Sequence, residues 1–263
     1  MVSQESRIVN SRESKLRLVA LFNLSFLYLP IVVLLVFSFN ASRLAATWQG
    51  FSWNWYGMLI QDSALHAATI NSLIVALLST ILVTVLGIPA AVGLDRLRPH
   101  DQSAWDGLFL LPFVIPEVMM GVALLLFFVM IGLPLSLTTV ILGHTAFNLP
   151  VVILIVRAKL RKLDPRLQEA AADLGASLWQ VFRRVTLPLL RPAILGAVLM
   201  AFTVSLDDFI VTFFVAGPGA TTLPLKVYSM IKSGVSPEIN ALSAIMVVLS
   251  MGLVAFSLIL QRR

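Results

Sequence analysis

Asp164-Pro165-Arg166-Leu167-Gln168-Glu169-Ala170-Ala171-Ala172-Asp173-Leu174-Gly175-Ala176-Ser177-Leu178-Trp179-Gln180-Val181-Phe182-Arg183-Arg184-Val185-Thr186-Leu187-Pro188 is the longest charged interlude in an otherwise apolar chain. Asp164 is placed to cap a helix whose first position is Pro165, where a missing N–H costs nothing. Gly175 is a natural left-handed C-terminal stop. Ser177 with Gln180 three residues later spells a capping box that opens a second helix, and Pro188 is expected to limit it. Leu167, Ala170, Ala171, Leu174, Leu178, Val181, Phe182 and Val185 keep a helical apolar stripe across the hinge. The stretch is two short helices with one greasy face.

What flanks it is membrane-like. Of 263 residues, 59% are hydrophobic and only 12% charged, against about 25% charged in an average soluble domain. The net charge of +6 therefore calls for a membrane explanation before a nucleic-acid one. No cysteine is present, which removes disulfides and thiol chemistry. The first apolar run shows no convincing cleavage site and is read as a retained span.

Six spans are expected, each near the roughly 20 residues a bilayer requires: about 18–39, 67–94, 108–131, 137–156, 193–214 and 241–260. With the N-terminus inside, sixteen of the nineteen Lys and Arg lie on the inner side, leaving only Arg43, Lys226 and Lys232 outside. The positive-inside rule then makes both termini and the Glu169 segment cytoplasmic. The chain divides into a polar N-terminal segment (1–17), one transmembrane domain (18–260) with a cytoplasmic loop over 157–191, and a tail (261–263). Trp48, Trp53, Trp55 and Tyr56 crowd one outer segment. Two readings stand for it: an interfacial aromatic helix, or a docking or stacking lip. The outer segment 216–240 opens with a Gly217-Pro218-Gly219 turn and is long enough to re-enter or cap the outer mouth.

Three carboxylates sit where lipid should be. Glu117 follows Pro112 and Pro116, two prolines that break the backbone ladder about 15 Å into the third span at about 1.5 Å per residue. Broken helices at depth are tolerated where they are buried in protein or line a cavity, so Glu117 reads as a cation site. Asp207 and Asp208 lie about 22 Å into the fifth span. On a continuous helix they point about 100° apart, Asp208 with Ser205 and Thr212, Asp207 with Thr203. One is expected to line a path and the other to bond neighbouring helices; the plainer alternative is that both satisfy buried polar partners. His144 and Asn148 share a face of the fourth span, where an interhelical hydrogen-bonding role outranks a proton relay. No metal-ligand spacing, no nucleophile motif and no phosphate-binding glycine loop occurs. The chain is no enzyme by any motif it carries, and its energy source must be another subunit or an ion gradient.

Glu169-Ala170-Ala171, Gly175 and Val185-x-Leu187-Pro188 resemble the signature of ABC-importer permease subunits, with Val where Ile is usual. The resemblance implies an all-α type I importer permease fold and gives Glu169, Ala170, Ala171, Asp173, Leu174, Gly175 and Ala176 to the coupling element that seats in a cytoplasmic ATPase. From about Tyr28 onward the chain is more narrowly similar to the second permease of spermidine/putrescine importers. Ser38-Phe39-Asn40, Trp48-Gln49-Gly50-Phe51, Trp55-Tyr56, Ser205-Leu206-Asp207-Asp208, Leu223-Pro224-Leu225-Lys226-Val227-Tyr228-Ser229-Met230 and Ser236-Pro237-Glu238-Ile239-Asn240 carry that similarity.

The family implies a second permease subunit forming a heterodimer, two copies of an ATPase subunit that bind ATP and Mg, an extracytoplasmic substrate-binding protein and a bacterial inner-membrane location. This chain itself would hold no cofactor. A polyamine carries two or more ammonium groups, which carboxylates stabilise where water is scarce. Glu117, Asp207 and Asp208, with Trp48 as a cation–π contact, form the expected substrate path. A permease for iron, thiamine or a phosphonate remains the alternative, ahead of a secondary cation transporter.

Overall fold

Helices account for nearly all regular structure in a computed structural model of the protein, which describes residues 2–42, 47–234 and 237–261, with the side chains of 2–16, 99, 249–250 and 252–261 set aside. Arg43, Ser236, Arg262 and Arg263 lie outside the described residues, as do the side chains of Arg7, Arg12 and Lys15. Twelve α-helices are described: α1 (Val2–Phe37), α2 (Asn54–Gln61), α3 (Ser63–Asp95), α4 (Pro99–Val114), α5 (Glu117–Met130), α6 (Leu137–Leu160), α7 (Arg166–Asp173), α8 (Leu178–Val181), α9 (Leu187–Asp207), α10 (Ile210–Val215), α11 (Leu223–Lys232) and α12 (Pro237–Gln261). The chain separates into two compact units, residues 1–63 with 227–263, and residues 64–226.

In the first unit α12 packs against α1 and α2. The apolar side chains of α1 from Leu18 onward are largely exposed, as a helix facing lipid tails must be. Beyond its end, Asn40 organises the loop. Its Nδ2 donates to the Thr47 carbonyl at 2.7 Å, its Oδ1 accepts from Gln49 N at 2.9 Å, and its own carbonyl accepts Trp55 Nε1–H at 2.6 Å. Ser38 Oγ meets the Tyr56 hydroxyl at 2.7 Å. Phe39 stacks on Phe51 with ring centroids 5.2 Å apart, and Trp53 meets Phe39 edge-on. The expected interfacial helix is α2, eight residues long, with Trp55 buried and Trp53 exposed.

The second unit is built on α3, α6 and α9. Val83, Ala91 and Leu94 of α3 interlock with Val152, Ile153, Val156 and Leu160 of α6 and Leu190, Ala197 and Ala201 of α9. Small residues at these contacts let the backbones approach, which drives helix association where water is absent. A second cluster joins Val75 of α3, Phe128 of α5, Val140 of α6 and Val211 and Val215 of α10. Asn71 holds the Gly219 and Thr221 carbonyls at 3.0 Å each, and Ser72 Oγ accepts Leu223 N–H at 2.7 Å. The segment after Gly217 is thereby tied to α3, and its helix α11 starts on a side-chain cap from α3.

Several expected spans are redrawn. Among the described residues four helices are long and apolar enough to cross a membrane: Arg17–Phe37, Ser63–Asp95, Leu137–Leu160 and the continuous run Leu178–Asp207. The expected third span is a bent pair, α4 and α5, turning by 103° at Ile115 and Pro116. Pro112 is accommodated inside α4, so only the second proline breaks the chain.

The expected fifth span starts earlier and stops sooner. Pro188 does not limit the helix opened at Ser177, because α8 passes through a π-helical turn, Phe182–Thr186, directly into α9. Leu187 N–H bonds back five residues to Phe182 O, and Pro188 then falls in the first turn of α9, where its missing N–H has no partner to lose. Downstream, the helix ends at Asp207 and restarts at Ile210. The segment 157–191 begins as helix, since α6 continues to Leu160 and buries Arg157 to 2% exposure.

A Cβ at Gly217 would fall inside the backbone carbonyl of Leu135. Gly217→Ala is expected to lower stability by about 3 kcal/mol or more, because backbone cannot yield as a side chain does. Gly219, at φ +79° with open space around it, should lose only about 1 kcal/mol as Ala. Thermal unfolding of the two variants in detergent checks the order.

Candidate functional site

The break between α9 and α10 is built by Asp208. A helix leaves its first N–H groups without intrahelical partners. Asp208 Oδ2 accepts from Thr212 N at 2.9 Å and Oδ1 from Val211 N at 3.3 Å, so this side chain caps α10. Oδ2 also accepts the Thr212 hydroxyl at 3.0 Å and lies 3.1 Å from His144 Nε2. His144 is 1% exposed and uses both ring nitrogens: Nε2 is 2.9 Å from Thr212 Oγ1, and Nδ1 is 2.7 Å from Ser205 Oγ. Ser205 Oγ in turn meets Ser79 Oγ at 3.0 Å. One polar chain thus runs Ser79, Ser205, His144, Asp208, crossing α3, α9 and α6 to the head of α10.

Around this break lies a cavity of about 580 Å³, within the range of small-molecule sites. Glu117, Asp207 and Asp208 all line it, with Pro112, Phe113, Met120, Phe147, Val151, Met200, Val204, Phe209, Ile210 and Val211. Among the described residues of that lining the three carboxylates are the only polar side chains; the rest is apolar. Asp207 and Asp208 do not diverge on one helix as expected. The helix ends between them, and both face the same cavity. Glu117 occupies the first turn of α5, just past the Pro116 break, where a carboxylate complements the positive end of the helix dipole. Neither Glu117 nor Asp207 has a hydrogen-bond or ion-pair partner among the described residues.

Trp48 belongs to the first unit, meets Phe37 edge-on at 6.2 Å between centroids, and lines an apolar groove with Val32, Leu35, Val36, Phe39 and Phe51. The motif Ser38-Phe39-Asn40 and its aromatic companions prove to be scaffolding, since Asn40 bonds loop backbone with both ends of its amide.

The segment from Asp164 to Pro188 keeps most of its expected grammar. Asp164 Oδ1 accepts Arg166 N–H at 3.0 Å ahead of α7. Gly175 adopts φ +84°, and Ala176 N–H returns to Ala171 O at 3.1 Å. Ser177 and Gln180 form the reciprocal capping box, at 2.8 and 3.3 Å. The apolar stripe splits. Val181 is buried and Phe182 and Val185 are half-buried, whereas Leu174 is 89% exposed, with Leu167, Leu178 and Trp179 also exposed. Ala171, Leu174, Gly175 and Ala176 edge a cleft of about 430 Å³ closed by Gln180, Val181, Arg184 and Val185. Glu169, Ala170 and Asp173 are exposed on α7.

Sequence reasoning missed two arrangements. Ser79 gave no signal beyond being a serine in an apolar run. Arg157, counted among loop cations, is buried and paired with Asp106 of α4, which also takes Arg161 Nη2 at 2.9 Å. The spacing of Arg157 and Arg161, four apart on one helix face, was the available clue. Asn148 is fully buried, and its amide makes no hydrogen bond among the described residues.

Residues 77–263 match the family of binding-protein-dependent transport system inner membrane components. The spermidine/putrescine transport system permease protein PotC of Haemophilus influenzae is 40% identical over 91% of this chain and 93% of its own length. The putrescine transport system permease protein PotI of Escherichia coli is 41% identical over 90% of this chain and 87% of its own. In fold, the chain is similar to a solved bacterial ABC transporter involved in import of the acidic polysaccharide alginate, with TM-score 0.71, 17% identity and 94% of each chain covered. A solved MetNI methionine ABC transporter aligns at TM-score 0.62 and 21% identity over 79% of this chain and 95% of that one. With apolar spans, broken helices beside a carboxylate-lined cavity and a double-capped polar hairpin on the page, these matches show that the protein belongs to the family of inner membrane components of binding-protein-dependent transport systems.

Proposed function

We propose that the chain is a permease subunit of an ATP-driven importer that moves polyamines of the spermidine and putrescine class into the cytoplasm. The observation that carries the reading is the cavity in which three carboxylates are the only polar side chains among the described residues of the lining. Carboxylates in an apolar site attract cations and repel anions, and each lost hydration shell must be replaced by a fixed opposite charge. Aliphatic and aromatic walls suit the methylene chain of a polyamine, and Phe113, Phe147 and Phe209 offer ring faces to its ammonium ends. The curated relatives named for spermidine and putrescine support the same substrate class.

In this reading six spans cross the membrane with both termini cytoplasmic, as the Lys and Arg distribution demands. The hairpin of α7 and α8 then faces the cytoplasm. Leu167, Leu174, Leu178 and Trp179 form an apolar surface of the kind that marks a protein contact, and Glu169, Ala170, Ala171, Asp173, Leu174, Gly175 and Ala176 seat in an ATPase subunit. That subunit, in two copies, binds ATP and Mg. A second permease subunit completes the pore, and an extracytoplasmic binding protein delivers the polyamine. Trp48 serves as an outer aromatic contact.

Glu117→Gln and Asp207→Asn should each lower polyamine uptake in proteoliposomes roughly tenfold or more, the scale of one lost charge-assisted contact, at unchanged protein level. Unchanged uptake in both would reject the cation path. Glu169→Lys with Gly175→Pro should abolish co-purification of the ATPase or uncouple its hydrolysis from uptake while the membrane fold survives. Polyamine-loaded binding protein should stimulate ATP hydrolysis by the assembled complex. Stimulation by iron- or thiamine-loaded binding protein instead would replace the substrate.

A further inference from the structure

Asp207 and Asp208 are adjacent in sequence and line one cavity, yet their surroundings differ. Asp208 Oδ2 takes donors from Thr212 N, Thr212 Oγ1 and His144 Nε2 within 2.9–3.1 Å, and only Oδ1, held by a single long bond from Val211 N at 3.3 Å, has acceptor capacity to spare. Asp207 and Glu117 have no such partners among the described residues.

The donors can be followed atom by atom. An ionised carboxylate only accepts. Thr212 has one hydroxyl hydrogen, directed to Asp208 Oδ2, so its oxygen is left to accept from His144. The His144 proton therefore sits on Nε2, shared between Thr212 Oγ1 at 2.9 Å and Asp208 Oδ2 at 3.1 Å. Nδ1 lies 2.7 Å from the Ser205 hydroxyl, Ser205 Oγ is 3.0 Å from Ser79 Oγ, and Ser79 Oγ also reaches the Ala76 carbonyl at 3.3 Å.

From this geometry we infer that His144 is a positioning residue that divides the work of the two neighbouring aspartates. It holds Asp208 as the anionic cap that keeps the chain broken between α9 and α10, and it leaves Asp207, with Glu117, as the carboxylates that meet the ammonium groups. The inference rests on the polyamine-path reading above and names which acids within it contact the substrate. His144 touches no substrate. It acts through Asp208, by supplying from α6 the one side-chain donor that does not come from α10 itself.

The test is a set of single and double variants in the assembled transporter, with polyamine uptake in proteoliposomes and co-purification of the ATPase read in parallel. His144→Ala is expected to lower uptake roughly tenfold, as loss of a hydrogen bond to a charged group does. His144→Gln, whose side-chain amide can place an N–H near the position of Nε2, is expected to restore uptake to within about threefold of the parent. His144→Ala combined with Asp208→Ala should be no worse than Asp208→Ala alone, whereas His144→Ala and Asp207→Asn should multiply. Wild-type uptake in His144→Ala, or a multiplicative effect with Asp208→Ala, overturns the positioning role. So does equal loss in His144→Gln and His144→Ala with the ATPase still bound, since that leaves the Nε2 donor irrelevant. Should His144→Ala fail to assemble, the comparison of His144→Gln with Asp208→Asn carries the test: uptake near the parent in the first and lowered in the second is expected, and the reverse overturns the inference. Uptake unaffected by Asp207→Asn and Glu117→Gln while His144→Ala still lowers it refutes the polyamine path itself, a separate and recognisable failure.

Discussion

A backbone that breaks inside an apolar environment must find new partners for its exposed N–H and C=O groups, and each group left alone costs several kcal/mol. The protein breaks its helices twice around one cavity and meets this demand differently each time. At Pro116 the chain lacks one donor outright, and the Pro116 carbonyl takes the Met119 and Met120 N–H groups at 2.9 and 3.2 Å. At Asp208 a carboxylate takes two N–H groups of α10 while a buried histidine from α6 supports it. The Asp208 charge that looks extravagant in a membrane is thus part of the backbone's own satisfaction. The cavity exists because the two breaks face each other, and the carboxylates at the breaks give it its sign.

The same economy shows in the polar hairpin. The Gly175 turn, the Ser177 capping box and the Asp164 cap are all satisfied within the segment, so the hairpin holds its shape without help from a partner. That leaves its apolar residues free to do something else. Val181 anchors it to the second unit, while Leu174, Leu178 and Trp179 stay exposed. The π-helical turn at Phe182–Thr186 then joins the hairpin without a break to α9, whose far end is Asp207. One continuous helical run, Leu178–Asp207, links the proposed ATPase-facing surface to the acidic cavity.

Local signals were legible wherever the physics is local. Ser177 with Gln180, Gly175 as a left-handed stop and the second proline ahead of Glu117 each specify their structure within four or five residues, and each is found as read. Pro188 misled because a proline forbids only its own donor. Shifting one turn to a π register moved Pro188 to the start of a helix, where no donor is missed. Arg157 misled because a charge count registers sign and not depth: only the position of Asp106, fifty-one residues away on α4, makes burial of that guanidinium affordable. The Ser38-Phe39-Asn40 motif pointed to the right relatives for a reason invisible in one dimension, namely that Asn40 bonds two loop carbonyl and amide groups at once.

Composition and patterning by themselves determined that this chain lives in a membrane, which segments are apolar enough to span it, and where its double-capped hairpin falls, because hydropathy and capping are properties of contiguous residues. Only the tertiary structure decided that Glu117, Asp207 and Asp208 share one cavity, that Asp208 is held by His144 while Asp207 is not, and that Trp48 packs edge-on against Phe37. Those outcomes depend on which helices cross and where they break, and a helix break changes the direction of every side chain beyond it.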